Sequence, residues 1–484
     1  MRSRRAWGWL AAVVAGAALV VSGCGSSSAS SSGTIGDGAA VVPANAAAFV
    51  AVNSDLSSGQ WSQVQQLVDK FPGKDKALAM LKQSFERGSS GVTWADVKQA
   101  LGPEVDVAVF LDPKPYVVGM TQPKDAQAFA SLVKKGNASG GGKLVVADYK
   151  DWKIFSDSQA HLDAFEHGSG GVLSGDSTYK DASGALPGDA LAKAYASGAK
   201  LLGALKQLAP QAPAQSGSIE WVAGDLATHN DGLSLDFHAK TTGGQDAPAP
   251  YEAKLPAEVP GGVLAYLSFS GAGLESAQVK QSLGKLAAIP QAAQIVQLVQ
   301  ALGPVFAHEN ALYVRQAALI PEVTLVAQPD SADQGLAAVD RLVALIGARG
   351  GTALTPKTVT AGGVQAKELN LGRFSIFYGV KAGKLVVSDS EAAFGELGGG
   401  GSKLADDATF KDAEKAAGMP SATNGFLYLD LKDAIPVVES LAQLGNANIP
   451  QEAIDNLRPL RSALAWATSS GGHEGSATVF LEIK

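Results

Sequence analysis

The sequence QALGP occurs at residues 99–103 and again at residues 300–304, and this repetition predicts how the whole chain is built. Five further pairs of similar segments follow these two in the same order. The pairs are TQPKDAQAFASLV at 121 with AQPDSADQGLAAV at 327, SDSQAHLDAF at 156 with SDSEAAFGEL at 388, DSTYKDA at 176 with DATFKDA at 407, LPGDALAKAYAS at 186 with MPSATNGFLYLD at 419, and IEWVAGD at 219 with LAWATSS at 464. Such ordered matches predict two tandem copies of one domain, with a spacing far longer than that of a solenoid repeat.

The boundary between the copies is visible as a change in composition. Residues 241–253, TTGGQDAPAPYEA, are rich in Gly, Pro and Ala and are typical of a linker. They separate a first copy over residues 41–240 from a second copy over residues 254–484. A chain of 484 residues with 46% hydrophobic side chains has the composition of a globular protein with more than one domain.

Each copy mixes strand-like and helix-like segments. The runs VDVAVFL and YVVGM stand on either side of DPKP, which predicts a β-hairpin and therefore antiparallel pairing. Apolar residues at helical spacing predict a helix from Trp61 to Phe71, Thr93 and Asp96 are placed to cap the next helix, and Pro123 is placed at the start of another. The predicted fold class is α+β, with two tandem duplicated domains, each an antiparallel β-sheet with helices packed on one face.

The N-terminus carries an export signal. The first five residues include three arginines and no acid, and the apolar run that follows, Ala6–Val21, is shorter than the roughly 20 residues that cross a bilayer. This pattern predicts a signal peptide over residues 1–23. The string Val21-Ser22-Gly23-Cys24 resembles the bacterial lipobox, which implies cleavage between Gly23 and Cys24 and acylation of the Cys24 thiol.

The segment after the cysteine is a predicted spacer. Residues 24–40 are rich in Ser and Gly, lack apolar periodicity, and are typical of a flexible linker. Two acyl chains anchor a protein stably, whereas one chain holds only marginally. We therefore expect an extracytoplasmic protein that is attached to the cell membrane through its lipid.

The charge balance limits the choice of partners. The chain has 39 basic and 46 acidic residues, and removal of the three signal-peptide arginines leaves 36 basic residues against the same 46. An acidic mature protein is not expected to bind nucleic acid, nor to adsorb to anionic lipid by charge alone.

The order of several short motifs carries a resemblance to a known family. VPANAAAFVAVN, LGPEVDVAVF, TQPKDAQAF, the SDS triplet and LPGDAL occur along residues 41–484 in an order that resembles the bacterial group catalogued as domain of unknown function 3352. The resemblance implies an exported or membrane-tethered envelope protein. It implies no activity and no ligand.

Motifs of catalysis and of cofactor binding are missing from the sequence. GNASGGGKL at residues 136–144 departs from a phosphate-binding loop at Asn137 and Leu144. The sequence contains no G-x-S-x-G elbow, no H-E-x-x-H pair and no second cysteine. His229 and His473 occupy corresponding turns, where exposed polar residues are ordinary. We expect no catalytic residues, no cofactor and no metal site.

The polar residues that recur between the copies have structural explanations. Ser156–Ser158 and Ser388–Ser390 each stand between a strand and a helix, so we expect them to cap the helix. Asp176 and Asp407 have the same explanation. Trp221 and Trp466 lie in alternating strands and are predicted to pack in the core.

Two classes of function remain open at the level of sequence. The first is non-enzymatic binding of an apolar ligand or of an envelope partner by a lipid-anchored protein. The alternative is an extracytoplasmic hydrolase whose catalytic residues are dispersed in the sequence and converge in space.

Overall fold

The computed structural model describes residues 35–88, 91–138, 143–208, 218–243, 248–271, 303–317, 320–349, 354–372, 374–471 and 473–484. The predicted signal peptide, including Gly23, and the predicted lipidation site Cys24 lie outside the described residues. The chain divides into a first unit, Met1–Gly243 with Ile483–Lys484, and a second unit, Gly244–Glu482. The division falls inside the predicted linker 241–253.

The first unit contains eight strands and seven α-helices among the described residues. The strands are β1 (Ala48–Asn53), β2 (Glu104–Phe110), β3 (Tyr116–Thr121), β4 (Val145–Tyr149), β5 (Trp152–Ser156), β6 (Ala192–Ser197), β7 (Ser218–His229) and β8 (Gly232–Thr242). The helices are α1 (Gly59–Asp69), α2 (Lys74–Gly88), α3 (Trp94–Ala100), α4 (Ala126–Ala138), α5 (Gln159–Glu166), α6 (Ser177–Gly184) and α7 (Gly198–Leu208).

These strands form one antiparallel sheet in the order β4-β5-β3-β2-β1-β6-β7-β8. The inner face is the one that carries Phe49 and Tyr195, which pair across β1 and β6. Helix α6 covers this face, because its Tyr179 ring packs edge-to-face on Tyr195 with the ring centres 5.1 Å apart. The indole N–H of Trp221, in β7, donates to Asp181 of the same helix at 3.0 Å.

Helices also cover part of the opposite, outer face of this sheet. Phe155 in β5 lies on that face, in the same cross-strand row as Gly119, Val107 and Val50. Phe129 of α4 packs against Phe155 with the ring centres 6.1 Å apart. The prediction of helices on one face only was therefore wrong for this unit, because a short apolar strand does not reveal how many of its faces are covered.

The second unit, among its described residues, contains a sheet of ten strands. They are β10 (Val263–Ser270), β11 (Glu309–Arg315), β12 (Glu322–Ala327), β13 (Lys357–Ala361), β14 (Val364–Asn370), β15 (Ser375–Lys381), β16 (Lys384–Ser388), β18 (Gly425–Asp430), β19 (Leu460–Ser469) and β20 (Glu474–Ile483). Two short strands, β9 (Tyr251–Glu252) and β17 (Ala422–Thr423), form a separate pair. The helices are α8 (Ala332–Arg349), α9 (Ala393–Glu396), α10 (Ala408–Ala417), α11 (Leu431–Leu444) and α12 (Gln451–Leu457).

The order in this sheet is β13-β14-β15-β16-β12-β11-β10-β18-β19-β20, and all pairings with a recorded register are antiparallel. Apart from the β13–β14 hairpin, the order repeats that of the first unit strand for strand. The fold is thus α+β, with antiparallel sheets and packed helices.

A short 3-10 helix at the start of the first unit is held by a buried glutamate. Residues Asp37–Ala40 form this helix, and Ile35 and Ala39 are 7% and 2% exposed. Glu104 Oε1 accepts the backbone amides of Gly36 at 3.1 Å and of Gly38 at 3.4 Å. Residues 35–40, which the sequence assigned to the linker, therefore belong to the folded unit instead. Six residues are too few to show a periodicity from which this could be read.

Several local predictions are confirmed and one needs a correction. Thr93 and Asp96 form a reciprocal capping box at the start of α3. The helix expected to start at Pro123 begins instead at Ala126, where Asp125 accepts the amides of Gln127 and Ala128. An aspartate that bonds two orphan amides stabilises a helix start more than a proline, which supplies no acceptor side chain.

Substitution of Gly38 tests how closely the 3-10 helix packs on Asp106. A Cβ atom at this position would clash with the Asp106 carboxylate, so Gly38→Ala is expected to destabilise the protein by about 1–3 kcal/mol. The control is Gly203→Ala in α7, where a Cβ meets nothing within 4 Å and better helix propensity stabilises by about 0.5–1 kcal/mol. Urea unfolding measures the free energy of unfolding of both variants and of the native protein. Equal stability of Gly38→Ala and the native protein would contradict the close packing of the 3-10 helix on Asp106.

Candidate functional site

An apolar groove lies on the outer face of the first unit's sheet. It has a volume of about 350 Å³ and is lined by residues of β1, β6, β7 and β8. The side chains that face into it belong to Ala48, Val50, Ala192, Ala194, Ala196, Val222, Gly224, Leu226, Leu235 and Phe237. Every one of them is apolar.

Small side chains make the floor of the groove. Ala192, Ala194 and Ala196 are alternate residues of β6, so all three methyl groups point to the same face. Gly224 of β7 pairs with Ala194 and extends the floor sideways. The three methyl groups along β6 and the hydrogen of Gly224 beside them leave a depression that longer side chains would fill.

Larger apolar side chains make one wall. Leu226, Leu235 and Phe237 are 36%, 39% and 44% exposed, which is unusual for three neighbouring large apolar residues in a sheet. Gly224 is required for the position of the wall. A Cβ atom there would come within 2.7 Å of the Asp236 carbonyl oxygen and 3.2 Å of the Phe237 ring.

Polar residues of the same strands lie on the other side of the sheet. Lys193, Tyr195 and Asp225 alternate with the groove residues, so their side chains belong to the inner face. Lys193 Nζ donates to the carbonyl oxygens of Gly188 at 2.9 Å and of Ile35 at 3.5 Å. The groove therefore has no polar side chain directed into it.

Asp225 is the most perturbed carboxyl group beneath the floor. It is 3% exposed, and neither of its carboxylate oxygens has a hydrogen-bond partner among the described residues. Burial, followed by the charge of Asp236, raises the pKa of Asp225 from 3.8 to about 7, and Lys193 opposes this shift. Asp225 is thus a buried acid whose backbone borders the groove and whose side chain points to the inner face beneath it.

A second buried acid is further from the groove. Asp106 in β2 is fully buried beside Glu104, and its pKa is raised well above the ordinary value by burial and then by the neighbouring Glu104 charge. Both carboxyl groups lie on the inner face, beneath the 3-10 helix. Raised carboxyl pKa values therefore occur in the core of this unit and not in an open cleft.

The equivalent face of the second unit carries larger residues. Tyr195 and Tyr428 occupy corresponding positions, because each pairs with the aromatic residue of its central strand, Phe49 or Tyr266. The residues on either side of Tyr195 are Ala194 and Ala196. The residues on either side of Tyr428 are Leu427 and Leu429. The floor of the groove is thus small in one unit and bulky in the other.

A second cavity, of about 460 Å³, lies in the second unit and has a different character. Its lining combines apolar with charged residues, among them Phe410, Met419, Phe426, Lys411, Glu414 and Lys415. The groove of the first unit is the more uniform site. The described residues contain no group of three or more His, Cys, Asp or Glu side chains placed to hold a metal ion.

The recurring polar residues have the following places. Asp176 caps α6 by accepting the Tyr179 amide, and Asp407 caps α10 by accepting the amides of Thr409 and Phe410, as predicted. Ser158 stands at the start of α5 but makes no capping bond. Ser156 and Ser388 bond across the sheet: Ser156 donates to the Val117 carbonyl and Ser388 to that of Val323. Ser390 accepts the Ala392 amide at 3.2 Å, just before α9.

The two tryptophans do not correspond in register. Both are buried, as predicted. Trp221 pairs with Ser197, the last residue of β6, whereas Trp466 pairs with Phe426, the second residue of β18. The strands match, but the tryptophans lie at opposite ends of the pairing, because sequence similarity over a few residues does not fix strand register.

Sequence reasoning did not find the groove. The only signal was the spacing of Ala192, Ala194 and Ala196, and small residues at alternate positions are also what a tightly packed strand shows. Among the helices that the structure describes, none combines the length and the apolar composition that crossing a bilayer requires.

Comparison with known proteins assigns this chain to no family. No protein family and no curated protein matches the sequence. Crystal form IV of TP0453 is similar to part of it, with 10% sequence identity and a TM-score of 0.23, over 42% of this chain and 79% of that chain. A TM-score that low does not define a shared fold.

The raised pKa of Asp225 predicts a pH-dependent stability. A carboxyl group that titrates near 7 in the folded protein and near 3.8 in the unfolded chain stabilises fully below pH 3.8, and this contribution is lost as the pH rises to 7. Asp225→Asn removes this loss. The melting temperature of the variant relative to the native protein is therefore expected to rise between pH 5 and pH 8. Asp151→Asn, in an exposed turn, serves as the control and should show no such trend.

Proposed function

We propose that this protein is a lipid-anchored extracytoplasmic protein that binds an apolar ligand in the groove of its first unit. The observation that carries the proposal is the lining of that groove: among the described residues, nine apolar side chains, one glycine and no polar side chain face a depression of about 350 Å³. Ligand pockets typically range from about 300 to 1,000 Å³ and are lined mostly by apolar side chains. The groove meets both criteria, at the small end of the range.

The N-terminal sequence supports the anchor. A basic start, a short apolar run and the string Val21–Cys24 fit a lipoprotein signal. Ile35, eleven residues after Cys24, is packed in the first unit. The Ser/Gly-rich linker that the sequence predicts over residues 25–34 would have a mean reach of about 16–19 Å. The first unit would accordingly sit close to the membrane surface.

The tandem duplication is part of the same proposal. It is supported by the matching strand order and by Tyr195 and Tyr428 at the same cross-strand position. It is also supported by two equivalent glutamates at strand starts: Glu104 accepts amides of one 3-10 helix, and Glu309 accepts the amides of Lys254 and Leu255 at the start of another. We also propose, from the order of the motifs along residues 41–484, that the chain is related to domain of unknown function 3352.

Removal of the acylated thiol tests the anchor. Native protein expressed in its own cells is expected to fractionate with membranes and to incorporate labelled palmitate, because two acyl chains anchor stably. Cys24→Ser should lose the label and move to the soluble or secreted fraction. Ser26→Ala, two residues away, is the control and should behave as the native protein. Continued membrane fractionation, without the label, of Cys24→Ser protein from which residues 1–23 have been removed would refute the anchor.

Filling the floor tests the groove. Ala194→Leu with Ala196→Leu gives the first unit the side chains that the second unit carries as Leu427 and Leu429. The affinity for the apolar fluorophore N-phenyl-1-naphthylamine is expected to fall at least tenfold, which corresponds to about 1.4 kcal/mol. Ala160→Leu with Ala164→Leu adds the same two side chains to the exposed surface of α5 and should leave the affinity unchanged.

Two results of this titration would count against ligand binding in the groove. One is an equal loss of affinity in both double variants. The other is an unchanged affinity in the variant with the filled floor. Thermal melts of the two variants, followed by circular dichroism, establish that each is folded.

A further inference from the structure

The floor of the groove is a narrow trough that follows β6, with Gly224 of β7 beside it. Ala192 and Ala196 mark the two ends of its floor, and four residues of extended chain span about 13 Å. The neighbouring strands lie about 4.8 Å to either side. On the β8 side the floor ends at Phe237, which is held over Gly224. On the β1 side the larger side chain of Val50 stands beside Ala194, and Ala48 stands beside Ala196.

This shape excludes wide ligands. The Val50 side chain stands on β1 and the Phe237 ring lies over Gly224 of β7, so about two strand spacings, or roughly 10 Å, separate the backbones beneath them. An α-helix with its side chains is about 10–12 Å across and does not fit between these two side chains. Fused ring systems are likewise broader than the row of alanines. A ligand that touches the floor along its whole length must be long, thin and flexible.

The chemistry of the lining excludes polar ligands. Burial of an amide or hydroxyl group without a hydrogen-bond partner costs on the order of 1–3 kcal/mol in proteins. The side chains that face the trough offer no partner, and the polar groups of the same strands point to the inner face. An extended peptide would leave its backbone amides unsatisfied, whereas a hydrocarbon chain has none.

We propose that the groove binds a single unbranched acyl chain, one per protein molecule, and that the headgroup of the ligand lies outside it. This inference rests on the proposed function. The volume of about 350 Å³ suits one chain and not two. In the described part of the second unit the corresponding floor is filled, because Leu427 and Leu429 occupy the positions of the floor alanines. A free fatty acid and a lysolipid both carry the required chain.

Calorimetric titration of the full chain carrying Cys24→Ser, which can be handled without detergent, tests this proposal. Saturated fatty acids from octanoic to octadecanoic acid are titrated in turn, together with lysophosphatidylcholines of the same chains and with cholesterol. The affinity is expected to rise about two- to fourfold per methylene while the chain still gains floor contact, and then to reach a plateau. The stoichiometry should be one.

The headgroup series tests whether the chain alone is recognised. Equal affinities for a fatty acid and for the lysolipid of the same length mean that the chain alone is recognised, as proposed. A cholesterol affinity equal to that of the best acyl ligand, or an affinity independent of chain length, would overturn the single-chain assignment.

The outcomes also separate this inference from the proposed function. Binding of N-phenyl-1-naphthylamine without binding of any acyl ligand would overturn the chain assignment and leave the groove as an apolar site. Failure of both classes to bind would overturn both proposals. Leu235→Ser, which removes apolar wall and leaves the floor unchanged, is a second variant and should weaken acyl binding several-fold even where the double leucine variant is unstable.

Discussion

A buried carboxylate that accepts backbone amides at the start of a strand is the interaction on which both units depend. Glu104 holds the amides of Gly36 and Gly38, and Glu309 holds those of Lys254 and Leu255. The first amides of a short helix have no partner within that helix, and a buried donor without a partner costs about 1–3 kcal/mol. The carboxylate removes this cost and fixes the segment that enters each unit. The core can then close beneath that segment.

The same sheet serves two purposes because its faces differ. The inner face of the first unit buries aromatic rings under α6, and its polar groups are enclosed there as well. The outer face is covered by α4 at Phe155 and carries the alanine floor further along β6. Because side chains alternate along a strand, Lys193 and Asp225 can lie directly beneath the groove without contributing polarity to it. The size of the side chains on the outer face and the burial of the side chains on the inner face are thus set independently.

Local sequence signals predicted the elements well where the interaction spans only a few residues. The capping box of Thr93 and Asp96 and the caps at Asp176 and Asp407 follow from such short-range bonds. Predictions were wrong where a distant partner decided the outcome. Residues 35–40 fold because Glu104, more than 60 residues away in the sequence, accepts their backbone amides. Ser156 was expected to cap a helix, but its hydroxyl donates to a carbonyl of β3.

The sequence by itself determined the α+β class, the hairpins, most caps and the order of similar segments, because these depend on residue type and on spacing along the chain. It also contains the motif that predicts a lipid on Cys24. Only the tertiary structure decided which alanines share a floor and which face is left open. Those properties depend on strand register and on side chains that arrive from other strands, and a shift of one residue would send every side chain to the opposite face.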